Sequence, residues 1–415
     1  VLESSQCVGG ALVSTRHHSG FLTEDGAHTL LINSAKVENL IRELDALKNE
    51  IVQADSKKLN RFILRNNLLN PLKPKPLALL KTPLLSVKAK YQFFSEILRK
   101  KQAVDSNLSL YDFFTKHFGN ECSDYLLDPF IAGTYAGDPK KLSAKHTFPN
   151  LVKASESNGS IIRSLISNKN KFKNKIISFK EGLAQLPIAL SQSLKQKPMT
   201  MTRILQITQE NQRWNIQFQI GDNKTQDTSY DAVYSTIPGR KNHTLPLFES
   251  AKNDLPDFRS IEHPPVTVLS LGFHSDQFKK PLSGFGYLVP SKEKQDYLGV
   301  LYTSSIFENR APKNQTLLTV FIGGSRNPDM TSLSQSELIA SLYPKIQKCL
   351  HIQGPPVFSY SRYWEHSIPQ YSINYDKIIE QIHYFENKYP NFYLSGNYRH
   401  GIALGDCFSD FQDPI

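Results

Sequence analysis

The sequence is poor in the residues that build metal and dithiol sites. Its 415 residues include four cysteines, none of which belongs to a CxxC pair: Cys7, Cys122, Cys349 and Cys407. The missing pairs exclude the common zinc and dithiol redox motifs, and scattered thiols in a long chain are typical of a reducing compartment. The sequence therefore predicts no metal site.

Long apolar runs and nucleic-acid motifs are missing as well. No run of about 18 apolar residues occurs, so the sequence predicts no membrane-spanning helix. Its 49 basic and 38 acidic residues give a net charge of +11, which favours an anionic partner such as an anionic lipid or an acidic small molecule. An ordinary lysine-rich surface explains this charge equally well. Because the basic residues do not alternate with aromatic ones, no nucleic-acid partner is expected.

A third missing element is the glycine-rich turn that opens a dinucleotide-binding domain. The chain begins with VLESSQCVGG and reaches EDGAH at 24–28, a pattern typical of the second step of such a domain. The expected GxGxxG turn does not precede it. Two interpretations stand. The sequence is a fragment of a longer enzyme, which we favour, or it is a shortened protein that binds its cofactor weakly.

The opening stretch itself suits a nucleotide. Glu3 stands where the acidic residue at the end of a second Rossmann strand accepts hydrogen bonds from ribose hydroxyls. Gly9 and Gly10 let the backbone approach a phosphate or a ring, which a Cβ would block. A plain tight turn is the structural alternative.

The C-terminal end of the chain contains a second stretch suited to the same site. In SGNYRHGIALGD (395–406) three glycines lie between a predicted strand and a predicted helix. Backbone N–H groups in such a turn can face a pyrophosphate or the edge of a flavin ring. Together, the two ends predict one cofactor site to which both contribute.

Periodicity predicts helices and strands in mixed order, without strict βα alternation and without repeats. Helices are predicted at 37–47, at 109–133 with a cap at Ser109 or Asp112 and a stop at Gly133, and at 334–350. A β-meander is predicted over 199–237, with YDAVYSTIP as its third strand. Further strands are predicted at 266–273, 285–290, 298–305 and 316–324. This pattern favours α/β segments with a separate antiparallel sheet in a chain of two or three domains.

Residues 61–104 differ in composition from their surroundings. They mix leucine and phenylalanine with lysine and are interrupted by proline. Amphipathic basic segments of this kind can lie on a membrane surface. Ordinary helices packed over a core are the alternative interpretation.

Several stretches resemble one enzyme family. VLESSQCVGG, EDGAH, YDAVYSTIP and GNYRHGIALG are similar to the flavin-containing amine oxidase superfamily. Four further stretches narrow the resemblance to the oxygen-dependent protoporphyrinogen oxidases, in particular the plant mitochondrial type: LDPFIAGTYAGDPKKLSAKHTFPNL (127–151), GFGYLVPSKEK (284–294), GVLYTSSIFENRAP (299–312) and FIGGSRN (321–327). The resemblance covers nearly the whole chain.

The resemblance implies an α/β fold with three parts. These are a Rossmann-like FAD-binding domain, truncated in this sequence, an antiparallel β-sheet substrate domain and a helical membrane-docking domain. The implied boundaries give FAD-binding segments at 1–56, 199–242 and 345–415, substrate segments at 151–198 and 243–344, and the helical domain at 57–150.

The resemblance also implies the chemistry. Family members hold FAD noncovalently and oxidise protoporphyrinogen IX to protoporphyrin IX with oxygen as acceptor, releasing hydrogen peroxide, in haem and porphyrin biosynthesis. The flavin supplies the redox step, so no catalytic side chain is expected. The alternatives are a coproporphyrinogen-oxidising relative, an amine oxidase, or a non-catalytic tetrapyrrole-binding remnant.

Site residues follow from the resemblance by position. Those implied to contact FAD are Glu3, Gly9, Gly10, Ala11, Gly26, Ala27, His28, Thr29, Ile204, Ile402, Ala403 and Leu404. Those implied to contact the tetrapyrrole are Arg61, Gly133, Leu288, Leu301 and Phe321. Arg61 would pair with a propionate, because a guanidinium fork suits a carboxylate; Arg65 is its nearby competitor.

His28 departs from the related plant sequences, which usually have Asn at this position, and near substrate and flavin it would alter the pH response or inhibitor fit. The implied partners are the tetrapyrrole, molecular oxygen and a membrane surface, with a homodimer and a ferrochelatase contact as further options. The implied location is peripheral, on the cytoplasmic side of a bacterial inner membrane or on an organelle membrane; otherwise it is cytoplasmic.

Overall fold

The computed structural model describes residues 1–55, 59–73, 76–105, 107–167, 174–399 and 401–408. The expected domain segments 1–56, 57–150, 151–198 and 345–415 therefore include some residues outside the described part. The strands are β1 Ser14–Arg16, β2 Leu22–Glu24, β3 Leu30–Ile32, β4 Ile51–Gln53, β5 Arg61–Arg65, β6 Leu68–Leu72, β7 Lys175–Phe179, β8 Thr202–Glu210, β9 Arg213–Ile220, β10 Gln226–Tyr230, β11 Val233–Ser235, β12 Val266–His274, β13 Gly286–Leu288, β14 Tyr297–Leu301, β15 Gln315–Gly323, β16 Phe358–Trp364 and β17 Phe392–Leu394.

The α-helices lie between these strands. They are α1 Ala35–Glu43, α2 Val87–Ser95, α3 Leu110–Phe118, α4 Asn120–Cys122, α5 Asp128–Tyr135, α6 Ala144–Thr147, α7 Pro149–Asn158, α8 Ile161–Ser167, α9 Gln185–Ser193, α10 Glu249–Asn253, α11 Thr303–Ile306, α12 Gln335–Leu350, α13 Asp376–Lys388 and α14 Leu404–Cys407. Among the described residues, no helix is both long enough and apolar enough to cross a membrane.

The largest sheet has seven strands in the order β16-β12-β15-β14-β13-β5-β6. Helix α12 packs on one face, where its buried residues at four-residue spacing meet Leu269 and Leu271 of β12. Helix α5 packs on the opposite face, where Ala132 meets Val268. Successive side chains of a strand point to opposite faces, so β12 is buried on both sides. The face covered by α5 is called the α5 face below.

Smaller sheets surround the chain ends. Strands β3, β7 and β4 form one sheet under α1 and α9, and β10, β9 and β8 form an antiparallel meander. Strand β11 pairs in parallel with β17, next to the core that holds α13. The helical segment α2 to α8 has a core of its own, centred on Leu110, Phe113 and Ile131. Mixed α/β content with separate antiparallel sheets was the fold predicted.

Two predicted helices are confirmed: the helix expected at 37–47 is α1, which ends at Glu43, and the helix expected at 334–350 is α12. Ser34 accepts from the N–H of Val37 at the start of α1, and Ser334 accepts from that of Glu337 in a capping box at the start of α12. Ser109, one of the two predicted caps, accepts from the N–H of Asp112.

Four predictions of local structure were wrong in part. The helix of 109–133 is interrupted at Gly119 and runs past Gly133 to Tyr135, because Ala136 in the left-handed region ends it. The third strand of the meander is β10; YDAVYSTIP contributes β11, which pairs with β17 instead. The strand at 298–305 ends at Leu301 and α11 follows. The predicted strand before Glu3 is a single bridge from Leu2 to Met199.

The segment 57–150 was expected to be helical, and its first part is not. Strands β5 and β6 form a hairpin at the edge of the seven-stranded sheet. Asn66 and Asn67, with φ of 53° and 60°, make the two-residue turn, which is the backbone geometry that favours a hairpin. The helical part follows it.

A buried carboxylate ties the helical segment together. Glu96 accepts from Nδ1–H of His117 (2.8 Å), from the hydroxyl of Ser160 (2.7 Å) and from the N–H groups of Ile161 (2.7 Å) and Ile162 (3.1 Å). Its side chain is fully buried. These bonds join the turn after α2 to α3 and to the N-terminus of α8.

Glu96→Ala is therefore expected to destabilise the protein by about 3 kcal/mol, because it leaves buried donors without an acceptor. Urea unfolding followed by far-ultraviolet circular dichroism measures this. Glu156→Ala, which removes an exposed carboxylate from the same helical segment, should change stability by less than about 0.5 kcal/mol. Equal effects of the two substitutions would contradict this account.

Candidate active site

Within the first 29 residues, two loops on either side of the paired strands β1 and β2 touch each other. Gly9 and Gly10 have φ of 118° and 57°, a region that favours glycine. A Cβ built at Gly26 would lie 2.3 Å from the carbonyl oxygen of Ala11. Ala11 and Ala27 nevertheless remain exposed. The structure thus brings together the two stretches that the sequence linked to FAD, and leaves small residues at the surface of their junction.

Glu3 lies beside the start of β8. Its backbone N–H donates to Met199 and its carbonyl accepts from Thr202, while its Oε1 accepts from the N–H of Ser5 (2.7 Å). Ile204 follows within the same strand and packs against the same core as Leu2. Glu3 and Ile204 therefore lie close together in the fold.

The C-terminal turn returns to this region. Ala403 is exposed, and Leu404 packs with Leu12 against the core around β3. A Cβ at Gly405 would lie 3.1 Å from the carbonyl oxygen of Leu31. Ile402 packs where two cores meet. These contacts bring the two ends of the chain together in the fold. That both ends build one cofactor site stays a prediction.

The residues implied to bind the tetrapyrrole share one face of the large sheet. The register aligns Arg61 with Gly286 and Leu301 in one row across the sheet, and Leu288 with Gly299 and Phe321 in the next row of this face. The rows are two residues apart along each strand, so all these side chains point to the α5 face. Leu288 and Phe321 are only half-buried there.

Helix α5 approaches this face through a glycine. A Cβ at Gly133 would lie 2.4 Å from Cδ2 of Leu288. A larger residue would push the helix from the sheet or displace Leu288. Gly133, although within the helix, is exposed. The structure thus places all five implied tetrapyrrole residues around the α5 face.

Arg61 and its competitor Arg65 have different surroundings. Arg61 lies with Cζ 4.9 Å from the ring centre of Phe285. Burial lowers its pKa, and no carboxylate among the described residues pairs with it. Arg65 instead pairs with Glu121 at 2.7 Å and lies over the ring of Tyr125. Arg61 is the guanidinium available to an acidic ligand.

Sequence reasoning missed the ion pair that positions α5. Asp128, at its first residue, accepts two hydrogen bonds of 3.1 Å from Arg326 and one of 2.7 Å from the N–H of Ser291. Arg326 also donates to the carbonyl of Val289 (2.6 Å). Burial raises the pKa of Asp128, although Arg326 opposes the shift. The blocks DPFIAG and GGSRN contributed to the family resemblance, but the sequence did not show that Asp128 of the first pairs with Arg326 of the second.

The EDGAH loop (24–28) is anchored by two buried carboxylates. Glu24 accepts from the N–H of Leu183 (2.9 Å) and from the hydroxyl of Ser14; burial raises its pKa to about 7. Asp25 accepts from the hydroxyl of Tyr360 (3.0 Å), and its carbonyl accepts from the indole N–H of Trp364 (2.7 Å). Both aromatic partners belong to β16, so the loop is bound to the large sheet.

His28 lies where the loop meets the α5 face. Its ring centre is 5.3 Å from that of Phe321 in an edge-on arrangement. Its Nδ1 is 3.0 Å from the carbonyl oxygen of Gly26. Burial lowers the pKa of His28 to about 4, so the ring is neutral at neutral pH. In the described ranges no cluster of three or more potential metal ligands occurs.

Comparison with known proteins agrees with this geometry. The family model described as flavin containing amine oxidoreductase matches residues 1–408. Protoporphyrinogen oxidase 2, chloroplastic/mitochondrial, of Arabidopsis thaliana is 33% identical over 98% of this chain and 86% of its own. The mitochondrial protoporphyrinogen oxidase of Nicotiana tabacum is 33% identical over 99% of this chain and 87% of its own.

A solved structure shows the same fold. The crystal structure of a proposed protoporphyrinogen oxidase from Exiguobacterium sp. 255-15 matches with a TM-score of 0.78 and 21% identity, over 98% of this chain and 90% of that one. The chain belongs to the flavin-containing amine oxidoreductase family and, within it, to the protoporphyrinogen oxidases.

Proposed function

We propose that this protein oxidises protoporphyrinogen IX to protoporphyrin IX with bound FAD, passing the electrons to molecular oxygen and releasing hydrogen peroxide. The observation that carries the proposal is the common face of Arg61, Leu301, Leu288 and Phe321. It joins a guanidinium that has no carboxylate partner among the described residues to three apolar side chains, two of them half-buried. A flat apolar ring system with propionate arms needs this combination.

The two N-terminal loops and the C-terminal turn fit FAD. No atom of the described residues lies within 4 Å of a Cβ built at Gly10, so the backbone there is open to a ligand. Glu3 would hold the ribose, the backbone of Gly9 to Ala11 and of Gly26 to Thr29 the nucleotide and ring, Ile204 the adenine side, and Ile402 to Leu404 the flavin end. When bound, the flavin accepts the hydride that leaves the substrate.

The chain's own residues bind and orient the tetrapyrrole. Arg61 would pair with a propionate, and its partial burial strengthens such a pair because solvent screening is reduced. Leu288, Leu301 and Phe321 would hold the pyrrole rings by apolar contact, and Gly133 would let the macrocycle approach the backbone. The division into FAD-binding, substrate and helical parts at the boundaries given above is part of this proposal.

We also propose that the protein docks on a membrane through the start of its helical segment. Val87, Tyr91 and Leu98 are 83%, 76% and 79% exposed, and their spacing puts them on one stripe of α2 and the turn after it. Lys88 and Lys100 beside them are also exposed. Apolar side chains flanked by lysines suit an anionic lipid surface. A homodimer and a ferrochelatase contact remain further parts of the proposal.

The direct test is an assay of porphyrin fluorescence and hydrogen peroxide. With FAD and oxygen, protoporphyrinogen IX should be oxidised well above its autoxidation rate, and coproporphyrinogen III and putrescine more slowly. Faster turnover of coproporphyrinogen III or of the amine would favour one of the alternative activities. Tetrapyrrole binding without turnover of any of them would indicate a non-catalytic protein.

Gly26→Ala should weaken FAD binding at least tenfold, because its Cβ cannot lie 2.3 Å from the Ala11 carbonyl without moving one loop. Quenching of flavin fluorescence gives the dissociation constant. Gly221→Ala is the control, since a Cβ there meets no described atom within 4 Å, and it should leave FAD affinity unchanged. Unchanged affinity in Gly26→Ala would show that these loops do not hold the cofactor.

Arg61→Met should raise KM for protoporphyrinogen IX about tenfold to a hundredfold with little change in kcat, because a charge-assisted contact to a propionate is lost. Arg61→Lys should recover part of the loss. With the dimethyl ester of the substrate, wild type and Arg61→Met should have similar KM values. A penalty of equal size with the ester would mean that Arg61 does not recognise the carboxylate.

Val87→Ser/Tyr91→Ser/Leu98→Ser should reduce co-sedimentation with phosphatidylglycerol vesicles at least tenfold, because it removes three exposed apolar side chains. Leu194→Ser/Met201→Ser/Val357→Ser, which alters exposed apolar residues elsewhere, is the matched control and should bind as wild type does. If wild type stays in the supernatant at low salt, membrane docking is wrong.

A further inference from the structure

His28 presents one hydrogen-bonding atom for which the described residues provide no partner. Its Nδ1 lies 3.0 Å from the carbonyl oxygen of Gly26. A carbonyl oxygen only accepts, so Nδ1 carries the hydrogen of this bond. The other nitrogen, Nε2, is then a lone-pair acceptor. It is buried and has no hydrogen-bond partner in the described part of the chain.

The surroundings of the ring keep it neutral. The residue is 8% exposed, and its burial and the nearby cation Arg310 both lower its pKa. A buried acceptor that is left without a donor costs free energy, and native proteins rarely keep one. The geometry therefore calls for a ligand that brings an N–H or O–H donor to Nε2.

The position of the ring limits the donor to two sources. The ring meets Phe321 edge-on at 5.3 Å, and Phe321 shares its sheet row with Leu288. His28 therefore stands between the loops that fit FAD and the face that fits the tetrapyrrole. Porphyrinogen carries four pyrrole N–H groups, which are donors. A flavin or ribityl group is the other source of a donor at this junction.

We propose that Nε2 of His28 accepts a hydrogen bond from a pyrrole N–H of the bound porphyrinogen and takes that proton during oxidation. The proposal rests on the proposed function. One C–H bond of a bridging carbon breaks, and its hydrogen leaves with both electrons to the flavin. The pyrrole N–H bond breaks, its proton moves to Nε2, and its electron pair completes the new double bonds between ring and bridge. A weak base suffices, because hydride loss makes the pyrrole N–H strongly acidic.

Two variants separate binding from proton transfer. His28→Phe keeps a ring against Phe321 and removes the acceptor. His28→Gln keeps an amide oxygen that accepts a hydrogen bond and is not a base. His28→Phe should lower kcat at least a hundredfold, the usual scale for a lost general base. It should also raise about tenfold the dissociation constant of protoporphyrinogen IX, measured without oxygen on the enzyme whose flavin has been reduced beforehand, because the pyrrole N–H loses its acceptor. His28→Gln should recover this substrate binding and leave kcat low.

FAD affinity distinguishes the two sources of the donor. The dissociation constant for FAD should stay within about twofold in both variants. A tenfold loss of FAD affinity in His28→Phe, recovered in His28→Gln, would assign Nε2 to the flavin and overturn the proposal. A kcat within about threefold of wild type in His28→Gln would overturn the proton transfer, and this arm remains decisive if His28→Phe does not fold. Wild type inactive on porphyrinogen would instead refute the proposed function and this inference with it.

Discussion

The anchoring of the loop at 24–28 by two buried carboxylates is the constraint on which the site depends. Glu24 accepts hydrogen bonds from Ser14 of β1 and from the N–H of Leu183, which precedes α9. Asp25 accepts hydrogen bonds from two aromatic residues of β16. A buried carboxylate without hydrogen-bond donors would cost free energy, so these bonds fix the loop in place. Gly26 then contacts the Ala11 backbone, and His28 contacts Phe321. This one segment thus joins the loops that we propose hold the cofactor to the face that we propose holds the substrate.

One face of the large sheet packs in the core, and the other carries the residues that we propose bind the substrate. Side chains toward α12 form a continuous apolar core. Side chains toward α5 include Arg61 and half-buried apolar residues, and α5 itself is held in place by the ion pair of Asp128 with Arg326. The same strands contribute to both faces, since neighbouring residues along a strand point to opposite sides of the sheet. A change of register by one residue would move the site residues into the core.

Some of these features could be predicted from the sequence, and others could not. The apolar spacing of α1 and α12 made both helices predictable, and Gly9, Gly10 and the terminal glycines indicated the loops that we propose hold the cofactor. Leu288, Leu301 and Phe321 could not be distinguished from core strand residues by period alone, because only the register shows that they share one face. The pair of Asp128 with Arg326 joins positions 198 residues apart, and local pattern contains no information on such contacts. For Leu288, Leu301 and Phe321, only the resemblance suggested a role.

The most direct test of the central claim is a single turnover without oxygen. The protein loaded with FAD is mixed anaerobically with protoporphyrinogen IX while the absorption of the oxidised flavin is recorded. The account predicts that the flavin band disappears and that oxygen then restores it, with porphyrin fluorescence and hydrogen peroxide. A flavin that stays oxidised with porphyrinogen but is reduced by an amine would contradict the account.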